Sequence, residues 1–421
     1  MARRVEAEKP SVTGVVKRVL LPVVIIALVA GMAYAVYPFA PIVGAWVYDQ
    51  IAPSAGPPEK VASAQLDGAE PGAVLQATTL PAVMRKWEGR DLKAARVVYR
   101  STSGDGMSPT IVSGSVFVPT GNAPDGGWPV VSIGHATLGI DTPCAPSLDS
   151  SLLGFLRYVN VFAGMGYAVA LADYQGLGAK GIHPYSDSRT AGLNMIDAVR
   201  ALRHTYPDVS DKWVAFGDSQ GGGAAWAADE QTKDYAPELT LLGALAASPP
   251  ADMTGIVQKA QDGSLTKEQR GVIQGIIESL ARLHPDLNRD DFRTAGAKNY
   301  WNVLTDCRPA NAYARAQAAD GVGPRDFAPR TPQAAEQLRG LLQNWALPQK
   351  PLSAPLYVYY GGQDPFIDAE WTKAAVARAC ALGGDITIRY DPEGGHNPSD
   401  ALDAIRWMSD RFEGKPAQND C

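Results

Sequence analysis

The sequence predicts an α/β fold in which a mainly parallel sheet is covered by helices on both sides. Three observations lead there. Four short apolar runs, at 128–133, 167–172, 213–216 and 239–247, each end in a turn. Helical patterns, notably 188–204 and 222–230, lie between several of them. The runs are apolar at consecutive rather than alternate positions, so both faces of each strand require cover.

Composition bounds the rest. With 421 residues the chain has room for two or three domains, or for one large α/β domain with insertions. Apolar residues make up 46%, enough for a full core, and charged residues only 19%, too few for a disordered or coiled-coil chain. Lys plus Arg number 38 against 44 Asp plus Glu. An acidic chain without a strong basic cluster has no use for nucleic acid as a partner.

The N-terminus carries Arg3, Arg4, Lys9, Lys17 and Arg18, then no charge until Asp49. The apolar core of that stretch, 19–36, reaches the lower limit for a bilayer-spanning helix, roughly 17–25 residues. Its basic side belongs in the cytoplasm. Residues 1–48 are therefore a signal or anchor segment. Either the hydrophobic helix is retained, making the membrane a partner, or it is cleaved near Ala33-Tyr34-Ala35 as a signal peptide. Both readings export the body of the chain. Cys144, Cys307, Cys380 and Cys421 form an even set, which in an exported chain suggests two disulfides with three possible pairings. No C-x-x-C or H-E-x-x-H spacing marks a metal.

The elements follow in order. Residues 49–80 hold Pro53, Pro57, Pro58 and Pro71 and read as a linker or wrapping arm. Strand patterns begin at 95–100 and 111–118 and continue through the four apolar runs. After Pro250 the pattern turns helical, with Thr266-x-x-Gln269 as a capping box opening a helix to Leu283. Strands return at 355–360 and 385–390, with helices at 369–382 and 399–412. The α/β core thus comprises 81–250 and 351–421, interrupted by a helical lid or cap insertion at 251–350.

The chemistry centres on Gly217-Asp218-Ser219-Gln220-Gly221. A strand candidate precedes this G-x-S-x-G and a small-residue helix follows. In that context glycines allow a sharp strand-to-helix turn that holds the Ser219 hydroxyl above the sheet. The helix aims its N-terminal amides at the site, favouring developing negative charge. A nucleophilic serine needs a base, and the base an orienting carboxylate, in the chain order Ser, acid, His. After Ser219 only His284 and His396 remain. His284 sits before Pro285 at a helix end and reads as a cap. His396 lies in a glycine-rich loop after a strand and is the expected base. Asp364, after the preceding strand, is the expected acid, with Asp368 as runner-up. The oxyanion donors are expected to be the amides of Gln220 and Thr137, the latter in the loop after strand 130–133. The triad is complete without a metal or organic cofactor. Gly176-Leu-Gly178-Ala-Lys-Gly181 matches G-x-G-x-x-G, but His183-Pro184 stands where a helix should begin. It reads as a shaped loop rather than a dinucleotide site.

Taken together, Gly217-Asp-Ser-Gln-Gly-Gly222, Cys144-Ala-Pro-Ser147, Asp173-Tyr-Gln-Gly-Leu-Gly178 with His183-Pro-Tyr185, and Gly362-Gln-Asp364 with Gly395-His396 resemble the microbial secretory lipase family. This is the Candida antarctica lipase A-like group of the α/β-hydrolase superfamily, and the resemblance spans most of the chain from about residue 70. It implies an α/β-hydrolase fold with a helical lid, a Ser219, Asp364, His396 triad, hydrolysis of lipid esters, and the pairings Cys144–Cys307 and Cys380–Cys421. The chain departs from the family at its oxyanion stretch, usually His-Gly-Thr-Thr-Gly, which here is His135-Ala136-Thr137-Leu138-Gly139. Alanine adopts positive φ less readily than glycine.

The expected function is an exported serine lipase or carboxylesterase acting on acylglycerols or similar lipid esters. A short-chain or acetyl esterase is the alternative within the class. A catalytically inactive cell-envelope binding protein is the alternative outside it.

Overall fold

The computed structural model describes residues 40–398 and 400–421. The hydrophobic stretch at 19–36 and the Ala33-Tyr34-Ala35 site lie outside the described residues. Among the described residues no helix is long and apolar enough to cross a membrane.

The chain divides into two compact units. The smaller, among the described residues, comprises 40–54 and Arg85–Trp87. Its helix α1, Ala40–Ile51, runs through the boundary drawn from the sequence at residue 48, since nothing breaks it before Pro53. Asp49 accepts the Trp87 backbone amide at 3.0 Å, and the Tyr48 and Trp87 rings meet edge to face.

The larger unit holds the sheet. Its strands are β1 (Val74–Thr79), β2 (Leu92–Thr102), β3 (Pro109–Pro119), β4 (Trp128–Gly134), β5 (Ala168–Ala172), β6 (Val209–Asp218), β7 (Thr240–Ala247), β8 (Leu356–Gly361) and β9 (Ile386–Asp391). They lie in the order β1-β2-β3-β5-β4-β6-β7-β8-β9. The pairs β1/β2, β2/β3 and β3/β5 are antiparallel, and every pair from β5/β4 onward is parallel. Strand β1 falls inside the stretch that reads as an arm. Its sequence, V-L-Q-A-T-T, carries little apolar signal because only Val74 and Ala77 are buried.

Helices α2 (Leu156–Gly164), α3 (Ser188–Thr205), α4 (Gln220–Tyr235), α10 (Ala369–Ala381) and α11 (Ala401–Phe412) cover the sheet. Between β7 and β8 lie α5 (Gly255–Asp262), α6 (Lys267–Leu283), α7 (Ala295–Tyr300), α8 (Ala312–Gly321) and α9 (Pro332–Trp345). The two-sided cover explains the continuous apolar runs. In β5, Ala168, Ala170 and Ala172 pack towards α3 and α4, while Val169 and Leu171 pack towards α2. In β6, Trp213 and Ala215 face the first layer, and Val214 and Phe216 the second.

Helices α5–α9 bury an apolar cluster of their own, including Ile273, Ile276, Ile277 and Leu280 of α6. Thr266 caps α6 as its spacing predicts: its hydroxyl accepts the Gln269 amide, and the Gln269 side chain accepts the Thr266 amide.

Register sets the functional edge. Ile133 pairs with Phe216, Asp218 with Ala247, Ala247 with Tyr359, and Gly361 with Asp391. The turns leaving these parallel strands therefore emerge along one edge, where ligands of open α/β sheets bind.

Candidate active site

Ser219 occupies the single residue between β6 and α4. Its backbone is strained, with φ 55° and ψ −123°. Such a conformation persists only where the surroundings enforce it. Here the Ser219 amide donates to Ala247 O at 2.9 Å, and the Gly223 amide donates to Ser219 O at 3.1 Å. The flanking glycines are sterically required. A Cβ on Gly217 would lie 1.9 Å from Gly221 O, and one on Gly221 would lie 2.0 Å from Gly134 O. Gln220 is the first residue of α4, so its amide belongs to the turn whose N–H groups have no partner within the helix.

The loops after β8 and β9 supply the other two residues. His396 Nδ1 lies 2.7 Å from Asp364 Oδ2. The other carboxylate oxygen accepts the amides of Phe366 at 2.8 Å and Ile367 at 3.1 Å. With both oxygens engaged as acceptors, the imidazole proton sits on Nδ1 and the Nε2 lone pair is free to take a proton. The Asp364 side chain is buried and that of His396 is 13% exposed, which keeps the pair away from bulk water but reachable.

Ser219, Gln220, Thr137 and His396 line one cavity of about 920 Å³. Asp364 sits behind His396. The sheet side of the cavity adds Leu138 and Leu153, and α6 and the 304–307 segment add Val272 and Leu304. Ala136 keeps a negative φ, so the departure from glycine in the oxyanion stretch costs no strain.

The remaining sequence candidates fall elsewhere. Asp368 precedes α10 and accepts from Lys259 Nζ at 2.8 Å and Gln269 Nε2 at 2.7 Å, joining α10 to the inserted helices. His284 closes α6 as its C-cap, its amide donating to Leu280 O. The G-x-G-x-x-G stretch opens no helix. Glycines 176 and 178 take positive φ, and the buried Asp173 carboxylate accepts from Ser113 and Ser147 instead of facing a ligand. The disulfides join Cys144 to Cys307 and Cys380 to Cys421, and the first fastens the loop after β4 to the inserted helices beside the cavity. Among the described residues no group of three or more His, Cys, Asp or Glu side chains is placed to hold a metal ion.

Three contacts escape sequence reasoning. Ser248, at φ 42°, donates its hydroxyl to His396 O. The Phe366 ring packs 4.7 Å from the His396 ring. Burial pushes the Asp218 carboxyl up, while the nearby His396 works in the opposite direction. Only Ser248 carries a sequence signal, as the turn residue closing an apolar run.

Residues 158–420 match the family model described as Secretory lipase. A probable inactive lipase of Mycobacterium tuberculosis is 26% identical over 373 residues, covering 83% of this chain and 80% of that protein. Lipase 6 of Candida albicans is 26% identical over 311 residues, covering 66% of this chain and 64% of that one. The closed state of Candida antarctica lipase A superimposes with a TM-score of 0.67 at 17% identity, covering 83% of this chain and 84% of that one. At that identity the likeness is one of fold.

Proposed function

An ester hydrolase by its membership of the secretory lipase family, the chain is, we propose, an exported serine lipase or carboxylesterase that cleaves acylglycerols or similar lipid esters. The observation that carries this reading is His396, joined to Asp364 at 2.7 Å and lining the same cavity as the strained Ser219. Ser219 Oγ attacks the ester carbonyl as His396 Nε2 takes its proton. Asp364 holds the imidazole in the required tautomer and stabilises the imidazolium. The amides of Gln220 and Thr137 receive the oxyanion, each such donor being worth on the order of 3 kcal/mol of barrier. His396 then protonates the departing alcohol, and water repeats the cycle on the acyl-enzyme.

Helices α5–α9 act as the cap, and Val272 and Leu304 with Leu138 and Leu153 offer the acyl chain an apolar wall. The N-terminal stretch at 19–36 exports the catalytic body, which stays tethered if that stretch is retained and is released if it is cleaved. A second reading, a short-chain esterase, is favoured by Glu268, Asp306 and Arg315, which break the apolar lining. The Mycobacterium tuberculosis relative is named as inactive, but here all three positions of the triad are filled.

Hydrolysis of p-nitrophenyl esters from acetyl to palmitoyl, with Ser219→Ala as control, tests the proposal. Rates that rise towards long chains and vanish in the variant support a lipase. Rates confined to acetyl and butyryl move the function to the second reading. The absence of any Ser219-dependent turnover removes both.

A further inference from the structure

The two proposed oxyanion donors sit on different elements, Thr137 after β4 and Gln220 at the start of α4. Their side chains nonetheless converge on three consecutive residues. Gln220 Nε2 lies 3.0 Å from His183 Nε2, and Thr137 Oγ1 lies 3.0 Å from the Tyr185 hydroxyl. Resting on the functional reading above, we infer that His183-Pro184-Tyr185 is a clamp that sets the oxyanion hole from both sides. His183 acts through the Gln220 side chain and Tyr185 through that of Thr137.

The hydrogen-bond chemistry of His183 leaves one arrangement. His183 Nδ1 lies 2.9 Å from Gln175 O, and a carbonyl only accepts, so the ring proton is on Nδ1. Nε2 then presents a lone pair. The group facing it must be the Gln220 NH2, which fixes the orientation of that amide. His183 is 2% exposed and Gln220 5%, so neither finds water as a substitute partner. Burial pushes the His183 imidazole down to about 3, so the ring is neutral and Nε2 accepts near neutral pH.

The clamp is itself held on several sides. The Tyr174 ring stacks on His183 at 6.2 Å and 7°, and the Tyr185 ring packs at 6.2 Å. The Tyr185 amide donates to Ser279 Oγ of α6 at 3.3 Å, and Ser186 bends the chain away at φ 73°. Tyr174 likewise sits at φ 68°. Two strained residues bracketing a buried, fully specified histidine are what a segment shows when its position is over-determined. The rest of the hole is less constrained, since Thr137 is exposed to the cavity and Ala136 is half-buried. Loosening either tie lets one amide drift without unfolding the sheet. His183 lies outside the cavity lining and Tyr185 on it, and both are assigned the part of positioning residues.

The test compares His183→Leu, which removes the acceptor, with His183→Gln, whose side-chain oxygen can replace Nε2, and with Tyr185→Phe, which deletes one hydroxyl. Each is measured for kcat and KM on p-nitrophenyl butyrate. Each is also measured for affinity towards an alkyl trifluoromethyl ketone, whose serine adduct carries the oxyanion, and for melting temperature. His183→Leu should lower kcat about tenfold to a hundredfold, below the ~10²–10³ of deleting a donor outright. It should weaken the ketone by the same factor and leave KM within about twofold. Tyr185→Phe should cost about three- to tenfold in both, and His183→Gln should recover most of the His183→Leu loss.

Folded variants with wild-type kcat and ketone affinity would overturn the clamp. So would losses confined to KM, or a His183→Gln no better than His183→Leu. Tyr185→Phe, which removes one oxygen, decides the matter if His183→Leu does not fold. A wild-type chain without Ser219-dependent turnover defeats the functional reading and the clamp with it. An active wild type with indifferent variants defeats the clamp alone.

Discussion

Replacing Gly221 by alanine adds one methyl group at the point where α4 crosses β4. The new Cβ would lie 2.0 Å from Gly134 O and 2.4 Å from Gly134 C, both rigid backbone atoms at the root of the loop after β4. An ordinary contact begins near 3.4 Å, so the helix start and the strand end must part by about 1.4 Å. Overpacking of this kind costs about 1–3 kcal/mol. At about 1 °C per kcal/mol for a chain of this length, the melting temperature should fall only about 1–3 °C. Activity should suffer far more. Ser219 and the Gln220 amide travel with α4, while the Thr137 amide stays with β4, so the gap opens across the proposed oxyanion hole. A displacement of this size costs about a hundredfold in kcat. The assay is kcat on p-nitrophenyl butyrate beside calorimetric unfolding. Gly340→Ala is the matched control, in an exposed turn of α9 where a Cβ meets nothing within 4 Å. That control should gain about 1 kcal/mol from helix propensity with kcat unchanged. A Gly221→Ala chain with wild-type kcat would refute the reasoning, because the contact geometry leaves no room for one.

Asp364→Asn should keep the fold and lower kcat about 10⁴-fold, since an amide favours the wrong imidazole tautomer; steady-state kinetics beside circular dichroism reads both. Replacing Cys380 and Cys421 by serine opens a loop of 41 residues. Chain entropy sets the loss at about 4 kcal/mol, read by denaturant unfolding, with activity at 25 °C retained because the bridge lies away from the cavity. Burial pushes the Asp229 carboxyl up to about 8 and Glu230 up to about 7, whereas unfolded carboxyls titrate near ~4. The folded chain therefore holds protons that the unfolded chain has lost. Their contribution is fully present below about pH 4 and disappears as pH rises towards 8. Melting temperature should thus decline as pH rises from about 4 to about 8, and Asp229→Asn should flatten that decline.

Much of the fold was legible because its strands are buried on both faces. A run such as 167–172 has no polar side to confuse with a helix, and the turn that ends it is marked by Asp173 and Gly176. The Ser219 turn was legible for a different reason: its glycines are demanded by backbone approaches of 1.9–2.0 Å, so steric need writes itself into the sequence. Edge strand β1 was not, because V-L-Q-A-T-T buries only two residues and its partner β2 is recognised by hydrogen bonds, which leave no trace in residue type. The contacts around His396 were equally silent. Ser248 and Phe366 reach it from 148 and 30 residues away in the chain, through a hydroxyl and a ring that many other positions also carry. The tie between Gln220 and His183 spans 37 residues and depends on which imidazole nitrogen bears the proton, a matter settled only once Gln175 O is in place.

The central claim is that Ser219 is a nucleophile activated by His396 and Asp364. It is tested most directly by intact-mass analysis after reaction with an alkyl fluorophosphonate, followed by peptide mapping. One adduct per chain is expected, on Ser219, forming orders of magnitude more slowly in His396→Ala and Asp364→Asn. A chain that resists the reagent, or carries the adduct on another residue, would contradict it.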